Sequence, residues 1–137
     1  MSKTLEIEII TPDKIVLSED DVVSVVAPGI EGSLGILAGH APLMTKLDVG
    51  ELDYRKADGF FDEVAIAGGF MEISENKVTV LADIAERREE IDVDRAEESK
   101  RRAEERLAVH APNLDTDRAR IALLKAINRL RIAGKQH

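Results

Sequence analysis

The sequence predicts an α+β chain in which an N-terminal all-β sandwich of about 8–10 short strands precedes an antiparallel two-helix hairpin. Up to about residue 82, apolar residues alternate with polar ones, as in TLEIEII, or form short β-branched segments such as DVVSVVA. Turn signals separate these segments, among them TPDK, PGIEG, GHAP and SENK, which favours a sandwich or flattened barrel. From residue 83 onward the apolar spacing becomes helical. We therefore expect a sandwich over residues 1–84 and a hairpin over residues 85–137.

Two aspartates are candidates for the start of the first helix. Asp83 opens the stretch DIAE and lies three residues before Glu86, an order typical of a capping box. Asp92 is a second candidate cap, for a helix that runs to about Val109. Pro112 disfavours helical geometry at the residue before it, so the helix should end there.

The second helix has its own start and stop signals. Asn113 or Asp115 can cap its beginning, and Gly134 suits its C-terminal cap after a last turn near Ala133. Helices joined by a short loop usually pack antiparallel, and alanine-rich faces permit a close approach. The stripes at helical spacing consist of Ala96, Ala103 and Leu107 with Ser99 between them, and of Ala119, Leu123, Ala126, Leu130 and Ala133.

Charge is distributed unevenly along the chain. The net charge is −8, but residues 1–84 hold 6 basic and 16 acidic side chains, whereas residues 85–137 hold 13 and 11. The acidic first part would repel a phosphate backbone, and three Phe and one Tyr offer no platform for stacking bases. We therefore expect no nucleic-acid partner.

Composition also argues against a metal site and a membrane segment. There is no cysteine, and His40, His110 and His137 lie far apart in the sequence, so we expect no metal ligation. The N-terminal MSKTLEIEII contains no apolar stretch of signal-peptide length, and no run reaches the ~20 apolar residues of a membrane span. We expect a cytoplasm-like compartment and no direct membrane insertion.

The charged run EEIDVDRAEESKRRAEERL admits two interpretations. The pairs Glu97–Arg101 and Glu98–Arg102 have the favourable i,i+4 order, which is typical of a solvated helix face. A second regularity is not explained by pairing, because the two helices repeat one spacing of basic residues. The two stripes are Arg95, Arg102 and Arg106, and Arg118, Lys125 and Arg129.

Cationic stripes that face each other repel unless an anion lies between them or each docks on an acidic surface elsewhere.

Nothing in the sequence indicates catalysis. GSLGILAGHAP lacks the Gly-Lys-Ser/Thr ending of a phosphate-binding P-loop, and there is no cysteine nucleophile. His40 could act as a base in a small sandwich enzyme, but its Gly/Pro surroundings favour a turn histidine bonded to nearby backbone. We predict a non-enzymatic protein.

Several stretches together resemble the epsilon subunit of bacterial F-type ATP synthase. They are TPD at 11–13, GSLGILAGHAPLMTKL at 32–47, AIAGGFMEISENKVTVLAD at 65–83 and IDVDRAEESKRRAEERL at 91–107. The resemblance implies a non-catalytic central-stalk subunit of a proton-translocating synthase, located peripherally at the cytoplasmic face of the cell membrane. It implies the gamma subunit, the c-subunit ring and the alpha/beta hexamer as partners. The hairpin would fold onto the sandwich or extend towards the hexamer, where it blocks ATP hydrolysis.

The resemblance also implies site residues. Some members of the family bind ATP as a regulatory ligand, not a required cofactor, through the motif Ile/Leu-Asp-x-x-Arg-Ala, which residues 91–96 match. The implied ATP-binding residues are Glu86, Ile91, Asp92, Arg95, Ala96, Arg102, Lys125 and Arg129. The implied inhibitory contacts with the beta subunit are Arg118, Arg120, Lys125, Arg129 and Arg131. The alternative is a freestanding nucleotide- or anion-binding module without a rotor.

Overall fold

The computed structural model describes residues 4–109 and 115–134, and it has a β-barrel-like sandwich followed by two α-helices. The strands are β1 (Leu5–Ile10), β2 (Ile15–Gly29), β3 (Gly32–Ile36), β4 (Leu43–Lys56), β5 (Phe61–Ser74) and β6 (Lys77–Arg87). A 3-10 turn at Arg88–Glu90 leads to α1 (Val93–Val109) and α2 (Thr116–Ala133). The predicted fold class is confirmed.

The described part of the chain has six strands, fewer than expected, because β2, β4 and β5 are 14 or 15 residues long. In the sequence each long strand has the pattern of two short ones. The strand order is β1-β6-β5-β4-β2-β3, and β1 also pairs with β2, so the sheet closes on itself as a flattened barrel. Inward-facing residues such as Leu5, Ile7 and Ile9 are fully buried, as the alternation in β1 predicts.

The boundary between the sandwich and the hairpin lies later than the pattern suggested. The expected helix cap at Asp83 is wrong, because β6 runs on to Arg87 and pairs with β5, with Glu86 opposite Ala65. Cross-strand hydrogen bonds satisfy the backbone groups that a cap would otherwise serve. The strand therefore extends past residue 84, the predicted end of the sandwich.

The 3-10 turn after β6 is fastened to the barrel. Arg87 Nη2 and Arg88 Nε lie 3.6 Å and 3.4 Å from the carboxylate oxygens of the buried Asp62. Lys14 Nζ donates to Glu90 Oε2 at 3.0 Å, and this hydrogen bond lowers the pKa of Glu90. The chain is thus tied to the barrel as far as Glu90.

Two predicted N-terminal helix caps and one predicted C-terminal cap are confirmed. Asp92 Oδ1 accepts a hydrogen bond from the Arg95 amide at 3.1 Å, and Asp115 Oδ1 accepts one from the Arg118 amide at 3.0 Å. Gly134 is the C-terminal cap of α2, and both helices end where expected. The predictions for Pro112 and Asn113 fall outside the described residues.

Helix α2 packs against α1 on one side and against the barrel on the other. The buried alanines mark the seam between the helices, namely Ala96, Ala103, Ala119 and Ala126. On the barrel side, Ile132 is fully buried in a small apolar cluster with Ala65 and Ile91. The buried face of α2 towards the barrel was not predicted.

None of the described helices is long and apolar enough to cross a membrane.

Candidate functional site

A cavity of about 360 Å³ lies between the hairpin and the sheet. Its floor comes from β5 and β6 and consists of Ala65, Ile66, Ala67, Ile84 and Glu86. Its walls come from the two helices and consist of Arg95, Ser99, Ala122, Lys125, Ala126 and Arg129. Apart from Glu86 the floor is therefore apolar, and three of the six wall residues are cationic.

Local structure explains why these side chains converge. Ala65 and Ala67 lie opposite Glu86 and Ile84 in the β5–β6 ladder, so all four point to one face of the sheet. The small alanine side chains leave the space that the cavity occupies. Arg95 lies in the first turn of α1, where the Asp92 cap fixes the backbone. An antiparallel hairpin brings that turn beside the second half of α2.

The cations of the cavity are unequally neutralised. Arg129 makes a two-point ion pair with Glu86, in which Nη2 donates to Oε2 at 2.9 Å and Nε lies 2.5 Å from Oε1. Within residues 4–109 and 115–134, neither Arg95 nor Lys125 has an acidic partner within ion-pair distance. Since Glu86 is taken up by Arg129, the two remaining cations of the cavity have no ion-pair partner of their own, which favours an anionic ligand.

The structure brings four of the eight predicted ATP-binding residues together around the cavity: Glu86, Arg95, Lys125 and Arg129. Three others have structural roles beside it. Asp92 caps α1, Ile91 packs on Ala65, and Ala96 is buried in the helix seam.

Arg102 lies outside the cavity lining in this arrangement. Its side chain is 66% exposed, and its Nε donates to Glu98 Oε1 at 3.0 Å. The predicted Glu98–Arg102 pair is thereby confirmed.

The predicted Glu97–Arg101 pair is not formed. Arg101 instead donates to Glu98 Oε1 and to Glu105 Oε1, both at 2.6 Å, because these two carboxylates reach its guanidinium from both sides along the helix. The hydrogen bond from Arg101, followed by the one from Arg102, lowers the pKa of Glu98. These pairs are on the surface and contribute little to stability. Most of the charged run is thus a solvated face, as its pairing indicated.

The implied inhibitory residues of α2 lie on two sides of the helix. Lys125 and Arg129 line the cavity, whereas Arg118 and Arg120 are exposed. Arg131 is also exposed, and its Nη2 donates to Asn128 Oδ1 at 2.8 Å.

One buried polar contact was missed by the sequence patterns. Asn128 Nδ2 donates to the carbonyl oxygen of Gly50 in β4 at 2.8 Å. A Cβ at Gly50 would come within 2.6 Å of Pro28 Cβ, so glycine allows the strand to pass between its neighbours. An asparagine inside a helix carries no periodic signal that would identify this contact.

His40 and a group of three carboxylates lie outside the cavity. His40 Nδ1–H donates to the carbonyl oxygen of Ala41 at 2.7 Å, so the interpretation as a turn histidine is confirmed. Glu51, Asp53 and Glu63 have carboxylate oxygens within 4.8 Å of one another on β4 and β5. The expectation that the chain has no metal site remains a prediction.

Comparison with known proteins identifies the family of this arrangement. The model of the family described as ATP synthase, Delta/Epsilon chain, beta-sandwich domain matches residues 4–88. The model described as ATP synthase, Delta/Epsilon chain, long alpha-helix domain matches residues 89–134. The barrel with its helical hairpin therefore defines a delta/epsilon-type chain of an ATP synthase.

Individual proteins agree with this class. A protein of Desulforamulus reducens named ATP synthase epsilon chain is 51% identical over 133 residues, which cover 97% of this chain and 99% of that protein. A chain in the structure of the Euglena gracilis mitochondrial ATP synthase, OSCP/F1/c-ring, has a TM-score of 0.80 at 24% identity, covering 93% of this chain and 80% of that chain.

A chain in the Tetrahymena thermophila mitochondrial ATP synthase, central stalk/c-ring, has a TM-score of 0.58 at 19% identity and 96% coverage of both chains. These two solved structures support the fold. The family models and the sequence relative show that the chain belongs to the ATP synthase delta/epsilon family, within which the resemblance to epsilon chains is confirmed.

Proposed function

We propose that the chain is a non-catalytic rotor-stalk subunit of a proton-translocating ATP synthase, whose hairpin binds ATP when docked and inhibits ATP hydrolysis when released. One observation carries the regulatory part. Arg95 and Lys125, from two different helices, line one cavity without an acidic partner among the described residues. An anion at that place relieves their repulsion only while the hairpin is docked.

The cavity suits a nucleotide in size and polarity. Its volume of about 360 Å³ lies within the range of small-molecule sites, and its apolar floor can cover the flat face of a base. Arg95, Lys125 and Arg129 supply charge-assisted donors for phosphate oxygens. Glu86 already holds Arg129, so we assign Arg95 and Lys125 the larger share of phosphate binding.

The regulatory mechanism follows from what α2 covers when it is docked. Lys125 and Arg129 face the cavity and are shielded from an acidic partner surface. Release of the hairpin would expose both, together with the already exposed Arg118, Arg120 and Arg131. ATP binds the docked state through contacts that the released state lacks, so it shifts the equilibrium towards docking. Inhibition of the alpha/beta hexamer and ATP binding are then alternative uses of the same cations.

The barrel offers a surface for its neighbours in the stalk. Phe70 in β5 and Leu81 in β6 are direct cross-strand partners, and both are about half exposed, while the nearby Met44 of β4 is 66% exposed. Exposed apolar clusters on a sheet face are typical of protein interfaces. We assign this face to the contact with its stalk neighbours, the gamma subunit and the c-subunit ring. Assembly with them would place the chain at the cytoplasmic face of the membrane and couple it to ion transport.

Titration of the isolated chain with ATP tests the nucleotide site. Isothermal calorimetry should detect binding at submillimolar to millimolar ATP, and Arg95→Gln should weaken it about tenfold or more, because a charge-assisted contact is lost. Arg106→Gln is the matched control: it makes the same change on the same helix, at an exposed position outside the cavity. If ATP does not bind, or if both variants weaken binding equally, the nucleotide site is wrong.

The rotor assignment needs a separate experiment. An affinity-tagged chain expressed in its own host should co-purify with gamma, the alpha/beta hexamer and the membrane-embedded ring. A chain that purifies alone and still binds ATP would contradict the rotor assignment and support the freestanding nucleotide-binding module.

A further inference from the structure

Ser99 occupies a distinctive place in α1. It lies one helical turn beyond Arg95, and it lines the same cavity as Arg95 and Lys125. Along the helix it falls between Ala96 and Ala103, which are both buried in the seam with α2. A hydroxyl therefore interrupts a row of methyl groups at the point where the seam opens into the cavity.

Packing and helix formation do not account for a serine there. Alanine has the higher helix propensity, and it fills the neighbouring seam positions of both helices. A serine in a helix can donate to a carbonyl of the preceding turn, but among the described residues the Ser99 hydroxyl makes no hydrogen bond with the protein. Ser99 is half-buried and lines the cavity wall, so its hydroxyl is open to a ligand held there.

We propose that Ser99 is a further ligand-binding residue, whose hydroxyl donates a hydrogen bond to an oxygen of the nucleotide held by Arg95 and Lys125. The inference rests on the proposed nucleotide site and adds to it a residue outside the set that the family motif implies. Because the hydroxyl has no protein partner to give up, a ligand oxygen displaces only water from it.

Calorimetric titration of the full chain with ATP, together with thermal melts, tests this role. Ser99→Ala should weaken ATP binding about threefold to tenfold, the effect expected for one hydrogen bond. Without ATP its Tm should be unchanged or higher, because alanine suits the helix. Ser33→Ala, at an exposed serine of β3 away from the cavity, is the matched control and should change neither quantity.

The outcomes separate this inference from the proposed function. If the unaltered chain does not bind ATP, the nucleotide site itself is refuted. If the unaltered chain binds and Ser99→Ala binds equally well, only the role of Ser99 is refuted. A Ser99→Ala chain whose Tm falls without ATP would show a structural role, and this too would overturn the inference.

Discussion

Replacing Ile132 with alanine should release the hairpin from the barrel while leaving the barrel folded. Ile132 is 0% exposed, and it is the one large side chain of α2 in the cluster formed with Ala65 and Ile91. Truncation of a buried isoleucine to alanine costs roughly 2–5 kcal/mol. Since this cluster serves only the docking contact, nearly all of that cost falls on docking.

The effect on the equilibrium is large even at the lower limit. A loss of about 2 kcal/mol lowers the ratio of docked to released hairpins about thirtyfold, because each ~1.4 kcal/mol is a factor of ten. The barrel core is a separate cluster that contains none of the residues of α2, so its unfolding free energy should stay within about 0.5 kcal/mol of the original.

Distance measurement between two spin labels is a direct assay. The chain has no cysteine, so labels can be attached at Asp58→Cys on the barrel and Asp117→Cys on α2, both at exposed sites. Ile127→Ala is the matched control, because it makes the same change on the same helix at a side chain that is 43% exposed. Ile132→Ala should broaden and lengthen the distance distribution, and Ile127→Ala should leave it unchanged.

Two results would refute this reasoning. An unchanged distribution for Ile132→Ala would mean that the polar contacts of α2 hold the hairpin without the apolar cluster. Equal lengthening in both variants would mean that helix stability, and not the contact with the barrel, controls docking.

Three further predictions concern the barrel and the cavity. Gly69→Ala should lower the unfolding free energy by at least about 2 kcal/mol in urea titrations, because Gly69 has φ +121° and a Cβ would overlap the Leu81 carbonyl oxygen. Lys125→Arg should tighten ATP binding in calorimetry, since a guanidinium holds phosphate in bidentate fashion where an ammonium cannot. Burial, followed by the charge of Asp62, raises the pKa of Tyr54 to about 12. An unfolded tyrosine ionises near pH ~10, so the stability linked to Tyr54 is complete below about pH 10 and is lost as the pH rises towards about 12, which alkaline unfolding curves can measure.

The elements that follow local rules were predictable from the sequence. Alternation identified the barrel strands, and Asp92 and Asp115 marked the starts of the two helices. Strand length was not predictable, because a long bent strand has the same alternation and turn-like interruptions as two short ones. The mistaken cap at Asp83 has a related cause: a capping pattern acts only where the chain is free to turn, and β6 is held by β5 up to Arg87.

The candidate site was predictable only in part, for a physical reason. Arg95 and Lys125 were identified because basic residues repeat at the same spacing along both helices. This repeat can be recognised in the amino-acid sequence without knowledge of the fold. Ile132 and Asn128 depend on which side of α2 meets the barrel, and the alanine stripe indicated only the side of α2 that meets α1. A helix with two buried faces has no single apolar stripe from which its second contact can be read.

The two buried faces of α2 also explain how the hairpin could move as a unit. The face towards α1 is a continuous alanine seam, whereas the face towards the barrel consists of Ile132, the Asn128–Gly50 hydrogen bond and the Arg129–Glu86 ion pair. Release from the barrel breaks only the second set and leaves the seam intact. The ion-paired side chains of Arg129 and Glu86 are only 19% and 25% exposed, so the pair also favours docking unless another carboxylate takes the place of Glu86. Ile132, these two polar contacts and a bound anion therefore favour docking together. Under the proposed mechanism, a decrease in ATP concentration removes one of these contributions, and the cations of the cavity become available to an acidic partner.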